Sequence, residues 1–145
     1  MKKLHLNPTY GLSARKHKDV ILKLSESLKT RNIMDYGCGK GALGSKMPFP
    51  IWEYDPAIPG KDSVPRAADL VVCLNVLECV ETDMLDNVLG DLVRCTRKLV
   101  FAIIGSKDKE FWEKKLNQFF KIGTILQGGE DLHCILEPRP KGPLG

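Results

Sequence analysis

The sequence predicts an α/β fold built on an open, mostly parallel sheet that is flanked by helices and ends in an antiparallel hairpin. Two continuous apolar runs, residues 70–74 and 99–104, are typical of buried parallel strands. Segments with helical spacing of apolar residues alternate with the strand-like runs, which favours strand-helix-strand units. Two further strand-like segments flank Gly128 and Gly129 near the C-terminal end, which indicates a hairpin turn.

The first elements surround a run of glycines. Ser13 can cap a helix over residues 14–29, in which apolar residues recur at helical spacing. Residues 33–36 form a short strand, and the glycines that follow it form a turn. Residues 42–47 then begin a short helix, which Pro48 ends.

The remaining elements continue the alternation. Residues 51–54 form a second strand, whereas residues 57–66 carry too many helix breakers and are expected to form a loop. Thr82 can cap the helix between the two apolar strands, and Ser106 can cap the helix that follows them. We expect that last helix to run to about residue 120 and to bury Phe111, Leu116, Phe119 and Phe120.

The chain has the length and composition of one soluble domain. Its 145 residues can bury about two thirds of the unfolded surface, so we expect a single domain over residues 1–145 with a flexible tail at residues 138–145. A net charge of +4 is a mild bias, which a solvated lysine-rich surface explains better than an acidic partner. Five cysteines without a Cys-x-x-Cys pair favour the reducing cytoplasm. No apolar stretch approaches the roughly 20 residues of a membrane span.

The most specific feature is the segment of residues 32–41, Asn-Ile-Met-Asp-Tyr-Gly-Cys-Gly-Lys-Gly, with Asp55 at the end of the next strand. Alternate glycines let the backbone turn sharply and approach a ligand, because glycine has no Cβ and tolerates positive φ. A carboxylate about twenty residues later, at the tip of the next strand, is where ribose hydroxyls would be held. The two features together predict a ligand that carries a nucleoside.

Two nucleoside ligands fit this pattern. Residues 39–44 match the Gly-x-Gly-x-x-Gly fingerprint of dinucleotide sites, which is a weak signal when it stands alone. Three observations favour S-adenosylmethionine instead. Asp35 gains nothing beside a pyrophosphate but suits an ammonium group. The chain is too short for a second, nicotinamide-binding half, and it ends in a hairpin.

On these motifs the chain resembles the class I S-adenosylmethionine-dependent methyltransferases, which have a Rossmann-like fold. Residues 35–41 match the family's glycine-rich first motif, residues 54–56 resemble its acidic second-strand end, and residues 68–80 are similar to its fourth-strand motif. Tyr10-Gly11 and the spelling Asp-Tyr-Gly-Cys-Gly-Lys-Gly resemble small methyltransferases often found in phage genomes. The resemblance implies one methyltransferase-like domain, in which residues 1–31 form a lid and the first helix.

The resemblance also implies roles for individual residues. Asp35 would lie near the methionine ammonium group, and Asp55 would accept both ribose hydroxyls. Glu78, in the fourth-strand motif, is a candidate for contact with the methyl acceptor, and a position near the dipole of the following helix explains it equally well. No metal is expected. The expected cofactor-binding residues are Tyr10, Asp35, Gly37, Cys38, Gly39, Gly41, Asp55, Pro56, Leu74, Asn75 and Val76.

Two departures from the family's pattern limit the resemblance. Cys79 stands where related enzymes often have a histidine after Leu-Glu, which puts a histidine general base at that position in doubt. Only about a dozen residues separate Asp55 from Asp69, where the family usually has a helix and a third strand. The fold is therefore trimmed between the second and fourth strands, and the adenine wall is abbreviated. Of the other histidines, we expect His17 at the solvated surface and His133 in a structural position.

The sequence therefore predicts an enzyme that transfers a methyl group in line from S-adenosylmethionine to an unidentified, small acceptor, unless a partner protein completes the site. One alternative is a non-catalytic S-adenosylmethionine-binding subunit or regulator. A less favoured alternative is a dinucleotide-binding module. Methylation of DNA bases is disfavoured, because the chain lacks both the Asp/Asn-Pro-Pro-aromatic tetrapeptide and the Pro-Cys pair of enzymes that act on flipped bases.

Overall fold

The computed structural model describes residues 13–37, 43–55, 60–61 and 66–139. These residues form three α-helices and six strands, and none of the helices is long and apolar enough to cross a membrane. Single turns of 3-10 helix cover Gly44–Lys46 and Leu77–Cys79. In chain order the elements are α1 (Ser13–Leu28), β1 (Ile33–Tyr36), β2 (Trp52–Tyr54), β3 (Ala68–Leu74), α2 (Thr82–Cys95), β4 (Thr96–Ile104), α3 (Lys109–Asn117), β5 (Phe120–Gly128) and β6 (Asp131–Pro138).

The six strands form one sheet in the order β2-β1-β3-β4-β6-β5. The strands β2, β1, β3 and β4 are parallel, and β5 and β6 form an antiparallel hairpin that pairs with β4 through β6. The predicted fold class is therefore confirmed. β2 and β5 are the two outer strands of the sheet, and the described residues between β2 and β3 carry neither helix nor strand, in agreement with the trimmed pattern.

Helices cover both faces of the sheet. Successive residues of a strand point to opposite faces, so β1, β3 and β4 each contribute to two cores. On one face, α2 and α3 bury Leu89, Leu92 and Leu116. On the other face, α1 buries Ile21. We name this second side the α1 face, and its strand residues include Ile33, Leu70, Val72, Phe101 and Ile103.

The structure corrects the predicted starts of α2 and α3. Thr82 is the first residue of α2, and Glu81 occupies the N-cap position without a side-chain hydrogen bond. The N-cap of α3 is Asp108 rather than Ser106, and its carboxylate accepts a hydrogen bond from the Phe111 amide at 3.1 Å. Ser106 Oγ instead accepts from the Asp108 amide at 3.0 Å. Ser106 therefore shapes the loop, and the helix begins later than predicted.

The end of α3 also differs from the prediction. The helix ends at Asn117, and Phe120 is a fully buried residue of β5, where it pairs with Pro138. Phe111 is 40% exposed, so the buried face of α3 consists of Trp112 and Leu116. The helix is shorter than predicted because Phe120 belongs to the hairpin.

The short helix predicted after the glycines is a single 3-10 turn, Gly44–Lys46. Met47 already has an extended backbone with ψ of 144°, as is usual for a residue that precedes a proline. Pro48 therefore ends the helix one residue earlier than the sequence pattern predicted.

We expect Asp108→Ala to lower the free energy of unfolding by about 1 kcal/mol, because it leaves the first turn of α3 without its cap. Urea unfolding followed by circular dichroism measures the loss. Ser106→Ala is the matched control, and we expect a smaller loss because its hydroxyl bonds to a loop amide. A larger loss for Ser106→Ala than for Asp108→Ala would assign the cap to Ser106.

Candidate ligand site at the carboxyl edge of the sheet

The four parallel strands end at one edge of the sheet, which we name the carboxyl edge. Ligands of open α/β sheets bind in the crevice outside this edge. Asp35 and Glu53 are register partners on β1 and β2, so their side chains lie on the same face of the sheet. Ile33, two residues before Asp35, belongs to the α1 face. Both acids are therefore on the α1 face.

Asp35 is an acid buried within β1, with only 4% of its surface exposed. Burial disfavours its charged form, and the charges of Glu53 and Asp55 add to this effect, so the pKa of Asp35 rises to about 7. The positive charge of Lys61 acts in the opposite direction. A carboxyl group in this state is a feature of functional sites, because a cationic ligand would stabilise its charged form.

The turn after β1 approaches the end of β3 closely. Gly37 has a φ of 80°, a conformation that glycine adopts without steric strain. Its amide donates to Tyr54 O at 2.7 Å, which extends the pairing of β1 with β2 into the turn. A Cβ on Gly37 would lie 2.5 Å from Val76 Cγ2. Both the backbone conformation and the contact with Val76 therefore require glycine.

Asp55 follows β2 beside this turn and is partly exposed. Its amide donates to Lys61 O at 2.7 Å, which brings the ends of the intervening loop together. The Lys61 ammonium group pairs with Glu53 at 3.0 Å. The loop is thus bonded to both acidic residues at the end of β2, and this fixes the position of the Asp55 backbone.

β3 ends in an unusual turn at Asn75. This residue has a φ of 56°, which is uncommon for a residue with a side chain. Its amide donates to Ile103 O at 2.8 Å, and its side-chain nitrogen donates to Glu78 Oε2 at 3.2 Å. The other oxygen, Glu78 Oε1, is buried without a hydrogen-bond partner among the described residues. The turn therefore holds an amide and a carboxylate together at the carboxyl edge.

The hairpin brings two further groups to this edge, Asp131 and His133. His133 is the register partner of Ile103, which lies on the α1 face, so His133 and Asp131 are on that face too. Leu132, Cys134 and Leu136 point to the opposite face, where they are buried beneath α2 and α3.

His17 of α1 is buried, which corrects the expectation of a solvated position. It is 9% exposed, and its ring centre lies 6.0 Å from that of Phe101 and 6.1 Å from that of His133. The basic residues that precede and follow His17 in the sequence favoured the surface. The packing of α1 on the sheet decides otherwise, because it sets this position against β4 and β6.

The charges of these groups also affect one another. Burial raises the pKa of Asp131, and the charge of Glu78 adds to the rise, whereas His133 and a hydrogen bond from Asn75 oppose it. Burial lowers the pKa of His133, against the opposing charge of Asp131. The four residues Asn75, Glu78, Asp131 and His133 therefore form one polar group.

Most of the predicted site residues lie at the carboxyl edge. No group of three or more His, Cys, Asp or Glu side chains within the described parts of the chain is arranged to hold a metal ion. The structure places Asp35, Gly37, Asp55, Leu74, Asn75, Val76 and Glu78 at the carboxyl ends of β1, β2 and β3. Tyr10, Cys38, Gly39, Gly41 and Pro56 lie outside the described residues.

No family model matches the sequence, and no curated protein matches it. Solved structures do match the fold. The methyltransferase domain of bacterial CtHen1-CN gives a TM-score of 0.65 at 13% identity, over 85% of this chain and 98% of that one. The N-methyltransferase NodS of Bradyrhizobium japonicum, in complex with S-adenosyl-L-homocysteine, gives 0.64 at 15% identity over 87% of each chain.

A third match is magnesium protoporphyrin IX methyltransferase (ChlM) of Synechocystis with bound S-adenosylmethionine. It gives a TM-score of 0.57 at 13% identity, over 94% of this chain and 87% of that one. At such identities the comparisons establish the fold alone. The chain therefore has the fold of S-adenosylmethionine-dependent methyltransferases.

Substitution of two glycines tests the close contact between Gly37, after β1, and Val76, after β3. We expect Gly129→Ala to cost about 1 kcal/mol, because its φ of 64° strains alanine although no atom lies within 4 Å of the new Cβ. Gly37→Ala carries the same strain and also overlaps Val76, so we expect a loss of about 2 kcal/mol or more. Urea unfolding measures both. Equal losses at the two positions would show that the contact with Val76 is unimportant.

The pKa of Asp35 predicts how stability depends on pH. Between about pH 4 and pH 7 the folded chain keeps a proton on Asp35 that the unfolded chain has lost. The free energy of unfolding therefore falls as pH rises through this range, by up to about 1.4 kcal/mol per pH unit, and the loss is complete above it. The difference in unfolding free energy between the parent chain and Asp35→Asn isolates this contribution.

The matched control for Asp35→Asn is Glu137→Gln, which neutralises an exposed acid of β6. We expect its difference from the parent chain to vary little over the same pH range. A difference between the parent chain and Asp35→Asn that is constant with pH would contradict the raised pKa.

Proposed function

We propose that this chain is an S-adenosylmethionine-dependent methyltransferase whose cofactor binds at the carboxyl edge near β1, β2 and β3. The observation that carries the proposal is the buried Asp35, with its pKa of about 7, beside the turn at Gly37. A cationic ligand at this position would favour the ionised carboxylate. S-adenosylmethionine carries an ammonium and a sulfonium charge, and its ribose offers two hydroxyls to Asp55.

The described residues fit the parts of this ligand. Asp35 would lie near the ammonium group and Asp55 would accept from the ribose hydroxyls, while Gly37, with its φ of 80°, turns the chain between them. Leu74, Asn75 and Val76 would pass the sulfonium. The resemblance of the first motif to small methyltransferases of phage genomes supports the same assignment.

The bound cofactor would supply a methyl group already activated by the sulfonium, so the chain's own contribution is orientation and exclusion of water. Orientation of two reacting groups can be worth an effective concentration of about 10⁵ M or more. Asn75 is fixed by its bond to Ile103, and Val76 is fixed by its contact with Gly37. These contacts make the end of β3 a rigid surface beside which the two partners can be aligned.

A non-catalytic S-adenosylmethionine-binding subunit or regulator is the second candidate. This candidate is favoured by the position of β2 as an outer strand of the sheet. The described residues supply no further strand beside β2, where the wall of the adenine pocket would lie. A dinucleotide-binding module is less favoured, since Asp35, Glu53 and Asp55 offer a pyrophosphate no positive charge and repel it wherever they are ionised.

Isothermal titration calorimetry with S-adenosylhomocysteine and with NAD separates these candidates. Binding of S-adenosylhomocysteine and not of NAD supports the proposal, whereas binding of NAD alone would assign a dinucleotide module. Absence of S-adenosylhomocysteine binding at millimolar concentration would contradict the proposal. Transfer of a labelled methyl group to components of a host lysate then separates an enzyme from a binding subunit.

We expect Asp55→Ala to weaken the binding of S-adenosylhomocysteine by about 2–3 kcal/mol, because a charged acceptor for the ribose hydroxyls is lost. Calorimetry measures the change. Asp86→Ala is the matched control, since Asp86 is an exposed acid of α2 that pairs with Lys115. An unchanged affinity in Asp55→Ala would refute its contact with the ribose.

A further inference from the structure

The polar group formed by Asn75, Glu78, Asp131 and His133 lies on the same edge as the proposed cofactor site, towards the hairpin. We name it the acceptor-side cluster. Three strand spacings of about 4.8 Å separate β1 from β6, so the cluster extends to about 14 Å from β1 along the edge. A ligand that is held at β1 and β2 and passes the end of β3 therefore reaches it.

Two glycines lie against side chains of the cluster, where a larger residue would overlap them. A Cβ on Gly105, directly after β4, would lie 2.9 Å from Glu78 Oε2 and 3.5 Å from Asn75 Nδ2. A Cβ on Gly128 of β5 would lie 2.9 Å from His133 Nε2. The polar atoms of the cluster are thus packed directly on the sheet. Glu78 Oε1 is buried and has no hydrogen-bond partner in the described part of the chain.

The cluster is rich in hydrogen-bond acceptors and poor in donors. The Asn75 side-chain amide already donates to Glu78 at 3.2 Å. No described lysine or arginine pairs with either acid, and Lys107 pairs instead with Glu130 at 3.2 Å. A buried carboxylate oxygen without a donor costs free energy, which a donor on a bound molecule would recover.

The charges of the cluster select against anions. Glu78 raises the pKa of Asp131, so the two carboxylates already repel each other. A phosphate or carboxylate at this position would add a third negative charge. A neutral or positive group with N–H donors would instead relieve the repulsion between the carboxylates of Glu78 and Asp131.

We propose, on the premise of the methyltransferase function above, that the acceptor-side cluster binds an amine as methyl acceptor. Glu78 and Asp131 accept hydrogen bonds from the amine, and His133 receives its proton. The amine binds as an ammonium ion and first loses a proton to the neutral imidazole of His133, which passes it to water. The nitrogen lone pair then forms the new N–C bond while the C–S bond breaks, with its electron pair staying on sulfur, and the positive charge of the sulfonium leaves on the methylated ammonium product.

His133 is suited to this role by its surroundings. Burial lowers its pKa, so its imidazole is neutral at pH 7 and one ring nitrogen can accept a proton. The ring lies against Gly128 and 6.1 Å from the ring of His17, which orients it. β6 thus supplies a histidine at the carboxyl edge. In the fourth-strand motif, Cys79 stands where related enzymes often have one.

Methyl transfer from labelled S-adenosylmethionine to four probes tests the proposal with the intact chain. Benzylamine and polylysine present amines, whereas phenylacetate and polyuridylate present anions. We expect label in the amines and none in the anions. Label in the anions at an equal or higher rate overturns the proposal, as does label in neither amine while S-adenosylhomocysteine binds. Failure of S-adenosylhomocysteine to bind would overturn the proposed function itself.

Substitutions at the two acids test the hydrogen bonds to the amine. We expect Glu78→Gln and Asp131→Asn each to lower kcat/KM for benzylamine by about tenfold or more, with the affinity for S-adenosylhomocysteine unchanged. Glu130→Gln is the matched control, because it neutralises the adjacent, exposed acid that pairs with Lys107, and it keeps full activity. Full activity in both Glu78→Gln and Asp131→Asn overturns the assignment.

Substitution of His133 tests the proton transfer. We expect His133→Gln to lower kcat by about 100-fold. In the parent chain the rate falls at low pH as the imidazole becomes protonated, and this dependence disappears in His133→Gln, whereas the dependence due to the amine itself remains. A urea unfolding curve for the variant verifies that it folds. An unchanged pH profile in the folded variant overturns the role of His133.

Discussion

The pairing of β1 with β3 is the constraint on which the site depends. Its register sets Asp35 opposite Val72, and it brings the turn at Gly37 against Val76, the second residue after β3. Because side chains alternate along a strand, the same register decides which face Asp35 occupies. A slip of one residue would move Met34 to the α1 face and Asp35 into the core beneath α2 and α3. The site and the core are therefore specified by the same hydrogen bonds.

Three residues at the carboxyl edge depart from what stability alone would favour. Asp35 is an acid buried in a strand, Asn75 has a left-handed backbone, and Glu78 has a buried oxygen without a described partner. Such departures are expected at functional sites, where local preferences yield to the geometry of a ligand. Asp35 lies on β1 and the other two follow the neighbouring strand β3, whereas the buried residues of α2 and α3 are leucines, a cysteine and a tryptophan. This concentration is the physical reason to place the ligand at this edge.

The sequence predicted the parts of the structure that depend on local patterns. The apolar runs predicted β3 and β4. The glycine segment predicted the turn at Gly37, with Asp35 before the turn and Asp55 at the end of the next strand. Local patterns did not distinguish Ser106 from Asp108, because both are residues that cap helices. The place of His133 depends on the pairing of β6 with β4, which joins segments about thirty residues apart and leaves no local trace. The prediction that His17 is solvated was wrong for the same reason, since only the packing of α1 decides its burial.

The outer strand β2 shows how a trimmed sheet can still hold a carboxylate, that of Asp55, in position. Exposed edge strands invite pairing with other chains, and short strands with covered side chains avoid this. β2 has three residues, and the guanidinium of Arg66 lies 4.6 Å from the ring centre of Trp52, its most exposed side chain. Lys61 accepts from the Asp55 amide through its carbonyl oxygen and pairs with Glu53 through its ammonium group. The Asp55 backbone is thus held by a residue that follows β2 in the chain.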